Sequence, residues 1–164
     1  GLIRTFRDHR IERVYLAIVE GEPPADQGTV EAPLREAWVS GRRGVAKPGE
    51  ASRDARTHWR VRERLPGAAL LEVELETGRQ HQIRIHLAHV GLPILGDPVY
   101  GRAASGRPLA RRPMLHAFRL AFSHPITGQR VAAESPLPGD FQKALAALRR
   151  AVPPARRPRR PARP

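Results

Sequence analysis

The stretch from Glu76 to Gly91 gathers the side chains best able to do chemistry. Arg79, His81, Gln82, Arg84, His86 and His89 all fall within it, among residues of helical apolar spacing. Thr77 with Gln80 three residues later reads as a capping box, so a helix is predicted to start there, and Gly91 before Leu92-Pro93 marks its stop. Ile83, Leu87 and Val90 recur at i, i+4 and i+7 and are predicted to face a core, which leaves Arg84 on the flank beside the buried stripe. A helix N-terminus presents free N–H groups, and with Arg79 and His81 next to it the turn suits a phosphate or a carboxylate. That combination fits a nucleic-acid site.

The three histidines invite a metal reading. His86 and His89 are predicted to share a helix face, but His81 sits five residues before His86 and points away, and no nearby acid completes a recognised spacing. They read instead as hydrogen-bonding or surface histidines, and no metal site is expected. Asp97, in Gly96-Asp97-Pro98, reads as an aspartate fixing a tight turn through its own backbone bonds rather than as a catalytic carboxylate. Gly-x-Ser-x-Gly, Gly-Lys-Ser/Thr and paired-carboxylate patterns are absent, so hydrolase and phosphate-loop chemistry have no support.

The elements that must position this helix lie on both sides of it. Val14 to Val19 is a short apolar run closed by Glu20-Gly21-Glu22-Pro23-Pro24, predicted to be a central strand buried on both faces, with Tyr15 pointing opposite to Val14, Leu16 and Ile18. Pro23 to Arg56 reads as loops and edge strands, with strand hints at Thr29 to Ala32 and around Trp38-Val39. Thr57, Trp59 and Val61 alternate with His58, Arg60, Arg62 and Arg64. After a turn at Leu65-Pro66-Gly67-Ala68, Leu71, Val73 and Leu75 alternate with Glu72, Glu74 and Glu76. These charges read as a solvated, salt-bridged sheet face. A second hairpin is predicted from Leu115 to Ser123 and Gln129 to Glu134, then a helix with Phe141, Leu145 and Leu148 on one face and Asp140 as its N-cap. Leu2, Ile3 and Phe6 look like the end of an amphipathic helix. Arg102, Arg107, Arg111 and Arg112 make the loop before Pro113 a candidate phosphate clamp, although a disordered basic loop would look the same.

A chain of 164 residues with 40% apolar content can bury a real core, and one domain over residues 1–150 is expected. The formal charge of +13 points to a polyanionic partner such as RNA, DNA or an acidic membrane surface. The stretch from Ala151 to Pro164 holds five Arg and no acid, so +8 remains on the rest, and its Pro and Arg composition predicts disorder. The absence of cysteine excludes disulfides and thiolate metal sites. No apolar run reaches membrane-spanning length, and the first residues lack a signal-peptide core, so a cytoplasmic protein without membrane association is expected.

Four segments in order, Thr77 to Leu87, Gly96-Asp97-Pro98-Val99-Tyr100-Gly101, Leu115-His116-Ala117 and His124-Pro125-Ile126-Thr127-Gly128, closely resemble the C-terminal motifs of the RluA-type RNA pseudouridine synthases. Arg13 to Gly21 looks like the tyrosine strand of the same family, and the resemblance runs from about Leu2 to about Arg150. It implies an α+β fold, a mixed, largely antiparallel sheet flanked by helices with an RNA groove across its middle. It also implies that the N-glycosidic bond of a uridine is broken and the uracil rejoined through carbon 5, with no cofactor and with an aspartate as catalytic group; attack on ribose, attack on the base and a glycal route stay open. Carried over by residue, Arg84 matches the arginine that pairs with that aspartate, and Tyr15 the tyrosine that stacks on the flipped base. Arg79, His81 and Gln82 match motif positions that support the site or contact the RNA backbone.

One departure stands out. The family's aspartate lies in an Arg-Leu-Asp motif upstream of the tyrosine strand, and nothing from Gly1 to Arg13 matches it. The resemblance therefore implies a larger C-terminal part of a synthase, inactive alone, in which Arg84 has no carboxylate partner. The expected substrate is structured RNA, ribosomal or transfer, and the expected state is a monomer. A non-catalytic RNA-binding module of the same fold is the second reading. A basic structural protein of a nucleoprotein particle is a third, resting on charge alone.

Overall fold

The computed structural model describes residues 11–101 and 110–151. The expectations at Leu2, Ile3 and Phe6, at Arg102 and Arg107, and for the stretch beyond Ala151 lie outside them. The strands are β1 (Ile11–Glu20), β2 (Gln27–Glu31), β3 (Leu34–Arg35), β4 (Ser52–Arg53), β5 (Arg56–Leu65), β6 (Ala68–Leu75), β7 (Leu115–Ser123) and β8 (Arg130–Glu134). The helices are α1 (Gln82–His89) and α2 (Gly139–Arg150). Six strands form one sheet in the order β2-β5-β6-β1-β7-β8, β3 and β4 form a second, and all these strand pairings are antiparallel. This is the α+β architecture expected.

The apolar run of β1 lands between β6 and β7, and its two faces feed two cores. Ala17 and Val19 join Leu71 and Val73 of β6, Trp59 of β5, and Ile83 and Leu87 of α1. Leu16 and Ile18 join Met114 and the Phe141, Ala144, Leu145 and Leu148 face of α2. Tyr15 packs, half-buried, against the first cluster, opposite to Leu16 and Ile18 as the alternation predicts.

Four local expectations are corrected. The helix does not begin at a capping box: the Thr77 hydroxyl is taken by the Arg56 N–H and by Gln82, no side chain caps the helix, and α1 starts at Gln82. Val90 is exposed, while Ile85 is buried against Leu34 and Ala55, so α1 buries two flanks rather than one stripe. His86 is fully buried and His89 exposed, so the two do not share an environment. Asp140 lies inside the first turn of α2, bonded to the Phe141 N–H and to Arg112, while Pro138 occupies the N-cap.

The charged face of the β5–β6 hairpin is only partly the solvated face expected. A register shift between Val61 and Glu63 brings Arg60 and Arg62 to the same carboxylate, that of Glu72, which is just 6% exposed. Arg64 turns to Asp26, and Glu76 takes Arg56 and His58.

The exit from α1 decides what reaches the site. Gly91, at φ +79°, supplies the left-handed residue of a Schellman motif, in which the Gly91 N–H donates to the Ala88 carbonyl and the Leu92 N–H to the Leu87 carbonyl. The chain then runs beside β1: Glu20 N–H donates to the Pro93 carbonyl and Leu95 N–H to the Ile18 carbonyl. At Gly96, with φ +74°, it turns so tightly that a Cβ would overlap the Arg112 carbonyl oxygen. The next residue is Asp97.

Candidate active site

Asp97 meets Arg84. The Arg84 Nε donates to Oδ2 and Nη2 to Oδ1, each at 2.7 Å, and Oδ1 also accepts the N–H groups of Val99 (2.9 Å) and Tyr100 (3.0 Å). The expectation that Arg84 lacks a carboxylate partner is thus corrected. Asp97 does fix a turn, as its sequence context predicts, and it binds the arginine as well. The aspartate side chain is fully buried and that of Arg84 is 16% exposed. Burial alone would raise the Asp97 carboxyl, but the Arg84 hydrogen bonds and the two backbone donors outweigh it and hold it below the ordinary aspartate range. The Tyr100 ring lies under the guanidinium, 4.9 Å from ring centroid to Cζ, so cation–π attraction holds the group from one face.

His81 enters from the loop before α1 with φ 58°, a left-handed conformation uncommon outside glycine. Its ring packs edge-on against Tyr100 (5.7 Å between centroids) and Trp38 (6.0 Å), and Nδ1 lies 3.2 Å from the Tyr100 hydroxyl. Burial, and then the neighbouring Arg84 charge, push the imidazole below its ordinary value. Trp38 itself is 47% exposed and carries the Arg43 guanidinium over its ring.

Behind this surface lies a buried polar network. The Gln82 amide is fully committed: Oε1 accepts from the Thr77 hydroxyl and the Arg79 N–H, and Nε2 donates to the Arg56 carbonyl and the Thr57 hydroxyl. His86 Nε2 lies 2.9 Å from the Ala32 carbonyl, which can only accept, so Nε2 carries the proton and Nδ1 accepts from the Thr57 hydroxyl at 2.9 Å. The network ties α1 to β5 and to the chain after β2. Eight residues make a helix too short to persist on its own propensity, so these tertiary bonds set where Arg84 sits.

Arg84, His81 and Gln82 are therefore brought together, Arg84 and His81 at the surface and Gln82 beneath them. Arg79 stands beside them, its Nε donating to the Asp54 carbonyl. Tyr15 reaches the cluster that contains Ile83 and Leu87 of the same helix, but no hydrogen bond, ion pair or ring contact joins it to Arg84 among the described residues. Arg111 is exposed and lies apart, after the undescribed 102–109 segment, and Arg112 is paired with Asp140. Asp97, Tyr100 and Trp38 went unread as site residues. The segment Gly96-Asp97-Pro98-Val99-Tyr100 hints at the first two, and no local rule links that turn to Arg84 or marks Trp38. No group of three or more His, Asp or Glu side chains suited to a metal occurs among the described residues.

Residues 2–89 match the protein family described as RNA pseudouridylate synthase. The chain belongs to that family. The matched segment holds the Tyr15 strand, the β5–β6 hairpin and helix α1 with Arg84. Among its relatives, the ribosomal large subunit pseudouridine synthase D of Zymomonas mobilis is 43% identical over 149 residues, covering 87% of this chain and 46% of that protein. An uncharacterized RNA pseudouridine synthase of Synechocystis is 37% identical over 148 residues, covering 90% of this chain and 45% of that one. The chain spans about half the length of the curated relatives it matches. The fold is that of the human RNA pseudouridylate synthase domain containing 4, at a TM-score of 0.74 and 24% identity, over 93% of this chain and 68% of the human one. The pseudouridine synthase sheet thus supplies the frame in which Arg84, Asp97 and Tyr100 meet. No helix among the described residues is long and apolar enough to cross a membrane.

Proposed function

We propose that this chain is the larger, C-terminal part of an RNA pseudouridine synthase that isomerises uridine in structured RNA, ribosomal or transfer. The observation that carries the reading is the family match across the tyrosine strand and the arginine helix, with Arg84 held rigidly at the edge of the core. In the reaction the bond from C1′ to N1 of uracil breaks and a bond from C1′ to C5 forms, while N1 gains a proton and C5 loses one. No oxidant or cofactor is required. Tyr15 stacks on the extruded base. Arg84 orients an aspartate supplied by an Arg-Leu-Asp segment N-terminal to this chain. His81 and Arg79 contact RNA next to it, Gln82 supports the helix from below, and Arg102 and Arg111 hold the RNA backbone. The chain divides into a catalytic domain over residues 1–150 and an Arg- and Pro-rich basic tail over 151–164, and the protein works as a cytoplasmic monomer.

The test is uridine isomerisation by the full-length protein on bulk ribosomal and transfer RNA, with Arg84→Ala as the control. Turnover that vanishes in Arg84→Ala supports the reading. An intact Arg-Leu-Asp segment with no turnover, or near-normal rates in Arg84→Ala, would sink it. A non-catalytic RNA-binding module is the alternative, favoured by the commitment of two Arg84 nitrogens to Asp97. It predicts salt-sensitive RNA binding with no product even in the full-length protein.

A further inference from the structure

We infer that Asp97 is the positioning residue for Arg84: by occupying the Nε–H and one Nη2–H it fixes the guanidinium plane and aims the Nη1 end of the fork at the catalytic aspartate. The inference rests on the pseudouridine synthase reading above. Asp97 is the more firmly held partner. Its carboxylate is fully buried and receives four hydrogen bonds, two from Arg84 and two from backbone N–H groups of its own turn. Its backbone is tied at both ends, since its N–H donates to the Ile94 carbonyl at 3.2 Å and its carbonyl accepts from the Gly101 N–H at 3.1 Å. Tyr100, in the same turn, covers one face of the guanidinium. Nη1 makes no hydrogen bond among the described residues. A planar fork clamped along its Nε–Nη2 edge and covered on one face keeps three N–H groups to donate, two on Nη1 and the second on Nη2, all within one fixed plane.

Charge gives the arrangement a second use. A free arginine beside a reacting carboxylate would bind it through two nitrogens and lower its basicity, and reactivity falls with basicity. With Asp97 already neutralising the guanidinium, the second carboxylate meets a weaker field. It is oriented without being quenched.

Asp97→Asn in the full-length protein tests this. The amide keeps Oδ1 for the turn and for Nη2, loses the charge, and presents an NH2 group to the Arg84 Nε–H. The expected result is a fall in kcat of about tenfold to a hundredfold with KM for RNA within about twofold. The acid limb of kcat should also move to lower pH, because Arg84 then bears fully on the catalytic carboxylate. Asp97→Glu, which keeps the charge, should recover part of kcat. In the 164-residue chain an Arg84 Nε–H resonance protected from solvent exchange is expected. Unchanged kcat and pH profile in folded Asp97→Asn overturn the inference. So does lost kcat with an unmoved acid limb and no recovery by Glu, and so does a rapidly exchanging Arg84 Nε–H in the native chain. Wild-type protein without turnover would instead overturn the functional reading, and this inference with it.

Discussion

Replacing Thr57 by valine removes one oxygen from the middle of the buried network and almost nothing else. The Thr57 side chain is fully buried, and its hydroxyl accepts from Gln82 Nε2 at 3.0 Å while donating to His86 Nδ1 at 2.9 Å. Valine fills the same space, so no cavity term arises. Gln82 keeps its second donor bond to the Arg56 carbonyl and Nδ1 of His86 is left with no donor, in a residue with no exposed surface. A buried polar group stripped of its partner costs about 1–3 kcal/mol, and one lost neutral hydrogen bond about 1 kcal/mol. We therefore expect a loss of about 2–3 kcal/mol, which in a domain of this size lowers Tm by roughly 4–12 °C. Thr57→Ser is the reference: it retains the hydroxyl and removes one buried methyl group, for about 1 kcal/mol. Urea unfolding of the three proteins, followed by circular dichroism, measures both differences. A valine variant as stable as the serine variant would refute the proton order assigned to Thr57, His86 and Gln82.

Stability should also depend on pH through the histidines. Burial pushes His86 and His81 below the ordinary imidazole value of about 6.5, so each stays neutral in the native protein while the unfolded chain takes up a proton. Their contribution is whole above about pH 6.5 and is lost as pH falls from there through the depressed native values; a urea midpoint that does not drop between about pH 7.5 and pH 5 contradicts this. Asp97 acts lower down, its contribution being lost as pH falls below about 4 toward its depressed native value, readable as an acid-unfolding midpoint that rises in Asp97→Asn. Gly96→Ala should cost more than about 1 kcal/mol, since φ is +74° and the new Cβ meets backbone rather than a movable side chain; thermal unfolding measures it. Glu72→Ala strands Arg60 and Arg62 without a carboxylate, and because both arginines are about half exposed the expected loss is about 1–2 kcal/mol by urea unfolding.

The sheet was largely legible because its strands alternate or are uniformly apolar. The span expected at Leu115 to Ser123 is β7 as observed, and the Pro66-Gly67 turn joins β5 to β6 where the pattern breaks. The start of α1 misled because Thr77 and Gln80 satisfy a local capping rule, whereas the Thr77 hydroxyl is claimed by a distant strand. A long-range bond won over a short-range one. The site was half legible for a related reason. Arg84 stands out by its position beside an apolar stripe, but its partner depends on the Schellman turn at Gly91 and the strand-like run along β1, which no spacing rule encodes. Gln82 and His86 read as polar residues on a helix and turn out to be its buried anchors.

The place of β1 between β6 and β7 sets an order of assembly. Its hydrogen-bonding neighbours come from the middle and from near the end of the chain, and contacts between distant segments form late because the loop between them must first close. Arg84 and Asp97, by contrast, lie close in sequence and can meet once β1 joins the β5–β6 hairpin to hold α1 and the run from Leu92 to Leu95. During synthesis the apolar strand bearing Tyr15 emerges before both β6 and β7, and until β6 arrives its exposed apolar face is open to chaperones or to aggregation. The arginine half of the site thus assembles once β1 meets β6, and Tyr15 is locked in on its other side when β7 pairs with β1.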